Sequence, residues 1–260
     1  MDFTYKKYEQ LLEALKSAGY GFVTFETFMK GEAGERFVIL RHDVDLLPRH
    51  SYRTAMMERW LSVKASYYFR AVPESWSEEH IKGIASIGHE VGYHYESLTT
   101  CQGNVDEAYQ DFCRNLERLR GLVPVSTICM HGSPRSPYDS KDIWKKYDYR
   151  KLGIIGEPYL DTDFSKMLYL TDTGRRWDGY RVSVRDKVEA YQDEWTEKGW
   201  TFHSTDDIIK AIKEKRLPCK LMITTHPQRW NDPGLRWVKE LVVQNLKNVV
   251  KAMLITHRKQ

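Results

Sequence analysis

Apolar residues along the chain fall into short strand-like runs that alternate with stretches of helical period, and that rhythm predicts an order of elements. Over residues 5–18, Tyr8, Leu11, Leu12 and Leu15 recur at helical spacing before Gly19 ends the helix. A first strand is predicted at 37–42. Pro48 then opens a helix to residue 63, expected to bury Ala55, Met56 and Trp60. The alternation continues with a strand at 65–70 and a helix at 78–87, then a strand at 89–93. Asn104, with Glu107 three residues on, caps a helix that runs to residue 120. A strand at 127–130 follows. The middle is less regular, with candidate strands at 152–155, 167–171 and 200–203 between Gly-, Pro- and Asp-rich loops. Ser204 caps a helix to residue 215, and 221–225 reads as an apolar last strand. From Pro233 onward, Leu235, Val238, Leu241, Val242, Leu246, Val249, Val250, Met253 and Leu254 form one apolar helix face.

Such alternation predicts an α/β fold: a single-domain distorted (β/α) barrel, TIM-barrel-like, with about seven parallel strands and closed or nearly closed. No linker or repeat divides the chain. Residues 1–260 are expected to form one domain, with 1–34 a helical lead-in and 232–257 a C-terminal helix.

Chemistry collects at the strand ends. The run Phe37-Val38-Ile39-Leu40 breaks into Arg41-His42-Asp43-Val44-Asp45. In an extended backbone alternate side chains share a face, so Asp43 and Asp45 project together with Arg41 behind them. Adjacent carboxylates repel unless positive charge sits beside them, and a divalent metal or a salt bridge to Arg41 would supply it. Later strands end at Arg70, His94, His131, Glu157, Asp172, His203 and His226. In a parallel barrel these ends open on one rim. A single histidine there reads as a satisfied core residue; so many titratable groups arriving from successive strands are not explained by packing.

Composition narrows the partners. Forty Lys and Arg against 36 Asp and Glu leave a net charge of +4 spread along the chain, which is no footprint for nucleic acid. No apolar leader or membrane-length run is visible, so a cytoplasmic protein without a membrane span is expected. Cys101, Cys113, Cys129 and Cys219 lack CxxC spacing and read as reduced, mostly buried thiols.

In their order along the strands, these residues resemble the motifs of the NodB-type polysaccharide deacetylases, a family of metal-dependent carbohydrate esterases. Asp43-Val44-Asp45 matches an Asp-Val-Asp form of the first motif, which implies Asp43 as base and Asp45 as metal ligand. Gly88-His89-Glu90-Val91-Gly92-Tyr93-His94 reproduces the second motif and implies His94 as a ligand. Tyr67-Tyr68-Phe69 looks like the family's core strand. Residues 221–226 resemble the late strand whose histidine, here His226, is the catalytic acid. Two positions depart from the pattern. Leu98 stands where the family places a second metal-binding histidine, so the third ligand is sought at His131, then Glu96, then His42. Ser133-Pro134-Arg135-Ser136-Pro137-Tyr138 occupies the place of an Arg-Pro-Pro-Tyr-like motif without matching it.

The resemblance implies a divalent cation on Asp45 and His94, with His131, which reaches the same rim from the next strand, the first choice as third ligand; zinc is expected first, with cobalt, manganese, nickel or iron as alternatives. It implies that Asp43 takes a proton as water attacks an acyl carbonyl and that His226 protonates the leaving amine. Arg41 or Arg70 is expected beside Asp43, and Asp172 or Asp178 beside His226. The loop over 171–179 suits an anionic or phosphorylated sugar, by arginine fork and ring stacking, as well as it suits a solvated loop around one buried Trp. Arg70, Tyr138, Asp172, Arg175, Arg176, Trp177 and Trp230 are the residues expected at the substrate. This form of the family looks like members linked to O-antigen and other surface-glycan assembly. The implied substrate is an amino-sugar derivative, carried as a nucleotide-sugar or lipid-linked glycan, that loses an N-acyl, most simply acetyl, group. Two readings stay beside it: hydrolysis of another C–N bond on the same barrel, and a non-catalytic glycan-binding relative.

Overall fold

In the computed structural model, residues 1–133, 136–178, 183 and 185–258 are described. The strand that ends in the two aspartates, β2 (Phe37–Val44), is buried along its whole length. It pairs in parallel with β7 (Lys220–Thr225) on one edge. On its other edge it meets β1 (Gly21–Val23) first and β3 (Ser66–Phe69) further on. β4 (Glu90–Tyr95) and β5 (Ile128–Met130) extend the sheet beyond β3, and β6 (Leu168–Thr171) lies beyond β7. The result is a seven-stranded parallel sheet, six strands in the order β5-β4-β3-β2-β7-β6 with β1 beside the start of β2, curled into a half-barrel with helices packed on it. Among the described residues no ladder joins β6 to the far edge, where Ile155 N–H donates to the Ser126 carbonyl at 2.8 Å. Side chains cross that seam instead. The Tyr159 and Tyr169 hydroxyls lie 3.3 Å apart, and Arg41 donates to Tyr159 at 2.8 Å.

Local sequence accounts for the elements that frame the site. Pro48 stands at the first position of α3 (Pro48–Trp60), which its fixed φ suits. The inward row of α3 is Ser51, Thr54, Ala55 and Glu58, so Trp60, expected in the core, is 83 % exposed at the helix end. Glu58 holds the inward place because three partners meet it. The hydroxyls of Tyr8 and Tyr67 each donate to it at 2.6 Å, and His42 Nε2 is 2.7 Å away. A buried carboxylate is tolerated when donors surround it in this way. The same network turns His42 to the back of β2, with Nδ1 2.6 Å from the Thr225 hydroxyl, and so removes it as a ligand.

The glycine-rich motif before His94 is largely structural. At Gly92 a Cβ would stand 2.4 Å from a Tyr68 ring carbon and 2.9 Å from the Thr127 carbonyl, so only glycine lets β3, β4 and β5 close up. His89 ties α3 to β3, with Nε2 donating to the Ala55 carbonyl at 3.0 Å and Nδ1 accepting from Ala65 N–H at 3.2 Å. Glu90 accepts from the Ser66 hydroxyl at 2.6 Å, from Glu26 N–H at 2.9 Å, and from the Thr127 hydroxyl. Asn104 and Ser204 cap α6 (Val105–Arg120) and α9 (Thr205–Lys213) as expected, Ser204 within a capping box with Asp207.

Other expectations are corrected. Residues 200–203 form no strand, and 152–155 gives only the end of a 3-10 turn (Tyr149–Leu152) and an edge hydrogen bond. β1, α2 (Phe25–Met29) and α8 (Glu189–Glu197) were not foreseen, because β1 has three residues and a mostly half-exposed pattern with no apolar run. Of the free cysteines only Cys129 is buried; Cys101 and Cys113 are half-buried and Cys219 is exposed. α1 (Tyr5–Ser17) packs against α9, and α4 (Glu78–Ser86) against α3.

Candidate active site

Asp43 and Asp45 at the end of β2, His94 near the end of β4, and His131 just past β5 converge on one cavity. His226, immediately after β7, closes its other side, with Asp172, immediately after β6, buried behind it rather than lining the cavity. The cavity, of about 90 Å³, is also lined by Gly132, Tyr159, Thr173, Ser183, Asp186 and Arg229. A larger open groove of about 770 Å³ between α1 and α9 brings together no comparable set of groups.

The lone pairs in the cavity are prearranged. His94 Nδ1 is 2.9 Å from the Cys129 carbonyl, which can only accept, so Nδ1 carries the proton and Nε2 faces the cavity bare. Burial drives the His94 pKa down to about 4, so the ring is neutral near pH 7. His131 Nδ1 is 2.9 Å from Glu96 Oε2. Against its burial, Glu96 is held down to about 2 by His131 and by Arg70, whose guanidinium donates to it at 2.7 and 2.9 Å. An ionised Glu96 fixes the His131 tautomer and aims its Nε2 inward. Those two Nε2 atoms lie 3.8 and 3.4 Å from Asp45 Oδ1. Burial alone would raise the Asp45 pKa, but His131, His226 and His94 outweigh it and hold the carboxylate ionised.

A divalent cation fits these residues. Asp45 Oδ1 is buried and has no hydrogen-bond partner, and its neighbours are two imidazole nitrogens whose other ring positions are already used. The ligand atoms of Asp45, His94 and His131 all lie within 4.8 Å of one another. Asp43, His94 and Cys129 meet the same distance limit, but two of those three are engaged. Asp43 receives both prongs of Arg41, at 2.9 and 2.7 Å, and burial pushes the Cys129 thiol pKa well up. The first set is therefore the metal-competent one.

His226 is held from below. Its Nδ1 is 2.6 Å from Asp172 Oδ1, and its backbone N–H donates to Asp172 Oδ2 at 3.0 Å. Burial and the Arg229 guanidinium favour the neutral ring, yet Asp172 and Asp45 together raise its pKa above the ordinary value. Nε2 faces the cavity, 3.8 Å from Asp45 Oδ2. Asp172 itself is fully enclosed, receiving Arg229 at 2.8 Å and Trp230 Nε1 at 2.8 Å.

The other residues expected at the substrate stand elsewhere. Arg70 lies beside the site, binding Glu96 and, at 3.1 Å, the Asp45 carbonyl. Trp230 and Trp177 are core residues, the latter donating to the Thr205 hydroxyl at 2.9 Å. Arg175 turns away to the Trp237 carbonyl at 2.9 Å, and Arg176 pairs with Asp178 at 2.5 Å. Tyr138 packs over Gly103, and none of these last five lines the cavity. Arg176 is taken up by Asp178 within the loop, and Arg175 is drawn to the C-terminal segment instead of the cavity. His203 is largely exposed, and Glu157, buried, caps α7 (Pro158–Asp161) while accepting from Met130 N–H at 2.9 Å. Leu98 packs with Ala108 and Ile143. Residues 134–135 and 179 of the expected motif and loop lie outside the described residues.

Two cavity residues carried no sequence signal. Asp186 accepts from Tyr159 at 2.9 Å and Thr171 at 2.6 Å, and also from Tyr169 and Thr173. Arg229 bridges Asp172 and the cavity from a 3-10 turn over Pro227–Arg229. Only the proximity of Arg229 to His226 in sequence could have flagged it.

No family model matches the sequence, and no curated protein matches it. Among solved structures, a CE4 family pseudoenzyme from Bacillus anthracis is similar at 13 % identity and a TM-score of 0.40, over 85 % of this chain and 66 % of that one. A mutant of that pseudoenzyme with restored enzymatic activity is similar at 12 % identity and a TM-score of 0.40, over 85 % and 69 %. Bacillus subtilis PdaA, a family 4 carbohydrate esterase, is similar at 10 % identity and a TM-score of 0.38, over 92 % and 83 %. Likeness at this level carries no information on activity or substrate.

Proposed function

We propose that this protein is a metal-dependent hydrolase that removes an N-acyl group, most simply acetyl, from an amino-sugar derivative. One observation carries the reading. An unpartnered buried carboxylate oxygen of Asp45 meets two bare imidazole nitrogens, between the Arg41–Asp43 pair on one side and the Asp172–His226 pair on the other.

Asp45, His94 and His131 hold the divalent cation, for which zinc is the first choice because one carboxylate and two imidazoles with open positions suit it. When bound, the cation supplies positive charge that polarises an acyl oxygen and makes a water more acidic. Asp43 is the base. The Arg41 fork keeps its carboxylate pointed into the cavity, where it takes the proton of the attacking water. His226 is the acid. With Nδ1 committed to Asp172, it delivers a proton from Nε2 to the leaving amine, and its raised pKa keeps that proton available near neutrality. The amino-sugar substrate, presented as a nucleotide-sugar or lipid-linked glycan of surface-glycan assembly, and a cytoplasmic site of action rest on the motif resemblance alone.

Zinc titration of the metal-free protein by calorimetry tests the ligand set. Asp45→Ala, His94→Ala and His131→Ala are each expected to abolish tight binding. Glu96→Gln is expected to weaken it by roughly 10–100-fold, because it loosens the His131 tautomer without removing a ligand. A His131→Ala protein with wild-type affinity would sink the assignment.

The metal-free protein should also lose stability in mild acid. Buried neutral His94 binds a proton only below about 4, whereas the unfolded chain binds one below the ordinary value of 6.5. Its stabilising contribution is therefore complete above pH 6.5 and is lost as pH falls towards 4, by up to ~3 kcal/mol. His226, with its raised pKa, works in the opposite sense, so the informative quantity is the difference between wild type and His94→Gln in urea unfolding across that window. Parallel pH profiles for the two proteins would contradict this account of His94.

A further inference from the structure

The C-terminal helix α10 (Leu235–Arg258) is inside out relative to the amphipathic helix its sequence predicts. Its most buried described side chains are polar: Asn248 donates to the Gly174 carbonyl at 2.8 Å, and Gln244 donates to Asn248 at 2.9 Å. Trp237 joins them, its Nε1 donating to the Asp2 carbonyl at 2.8 Å. Five of the described apolar residues face solvent instead. Leu235 is 90 % and Leu246 64 % exposed, with Val238, Val242 and Val249 about half exposed between and beyond them. At 3.6 residues per turn these five share one face, a stripe ~20 Å long.

Charge says what covers the stripe. Arg236, Lys239 and Lys247 are exposed along its flank, and the helix sequence carries five Lys and Arg against one acidic residue, Glu240. Glu240 is half-buried and lies close enough to Arg175 to favour its charged form. Exposed Arg49 stands with Arg236 in a groove at the start of the helix, where the one acidic residue, Asp232, is paired with Arg53 at 2.6 Å. A second copy of the chain is a poor match. Antiparallel pairing about the middle of the stripe sets Lys239 of one copy near Lys247 of the other, and parallel pairing sets each lysine against itself. An apolar stripe flanked by one sign of charge is the pattern of a helix lying in a membrane interface. Among the described residues no helix is long and apolar enough to cross a membrane, so contact at the surface is what remains. We infer that α10 docks the protein on an anionic lipid surface, its stripe entering the acyl boundary and its flank meeting acidic headgroups. This goes beyond the hydrolase reading and does not depend on it.

The test is co-sedimentation of the whole chain with vesicles of phosphatidylcholine alone and of phosphatidylcholine mixed with phosphatidylglycerol. Partition into the mixed vesicles only, weakened by salt, is expected. Lys239→Gln combined with Lys247→Gln should reduce it by roughly 20–30-fold. Val242→Glu combined with Leu246→Glu should abolish it. All four positions are exposed, and an unchanged circular dichroism melt confirms that the fold survives. Equal binding to both vesicle types, or none to either, would overturn the inference. So would a dimer in sedimentation velocity that Val242→Glu dissolves while vesicle binding is absent, which would give the stripe to a second copy.

Discussion

Asp43→Asn is expected to keep its metal and to slow hydrolysis by ~10²–10⁴. Asparagine preserves the shape of the side chain and one acceptor for Arg41 but cannot take a proton. Removing the charge leaves buried Arg41 partly unpaired, a change that in other buried pairs costs ~3–5 kcal/mol. The cost here should be smaller, because Arg41 still donates to Tyr159 and stands 3.7 Å from Asp186. Metal content, melting temperature and kcat measured on the same preparation separate these effects. Loss of metal in proportion to activity would instead make Asp43 a ligand and favour the alternative set with His94 and Cys129.

His226→Gln is the second large effect, and its signature is selectivity rather than size. Glutamine can still donate to Asp172, so the fold and the metal should persist. Without an acid, expulsion of a poor amine leaving group should slow by ~10²–10⁴, whereas an activated ester, which departs unprotonated, should be nearly unaffected. The ratio of ester to amide hydrolysis therefore rises steeply in the variant. A ratio unchanged by the substitution would reduce His226 to a structural histidine satisfied by Asp172 and Arg229.

Much of the sheet was legible because β2, β3 and β7 are buried on both faces and so appear as largely apolar runs that end abruptly in polar residues, while β4 was marked by its glycine-histidine motif. The same abruptness exposed Asp43, Asp45, His94, His131 and His226, since a strand end fixes where a side chain points. Loop residues gave no such handle. Arg175 and Arg176 beside Trp177 look like a ligand clamp in sequence, yet each found a partner within the chain. Asp186 reaches the cavity from a loop whose placement no local pattern encodes. Periodicity located α10 correctly, but period alone cannot say which side of a helix meets the sheet. Gln244 and Asn248 took the inward places by hydrogen bonding, and Leu235, Val238, Val242, Leu246 and Val249 were left outside.

The central claim is that three side chains hold a metal for hydrolysis by an acid–base pair. It is tested most directly by following acetate release from a panel of N-acetyl amino sugars and their nucleotide and lipid-diphosphate derivatives. The protein is stripped of metal, then reloaded with one equivalent of zinc, cobalt, manganese, nickel or iron(II). The account predicts no release from the stripped protein, restored release with at least one metal, and none from His94→Ala under any loading. Release that persists after stripping, or no release from any substrate by a protein that binds metal tightly, would contradict it.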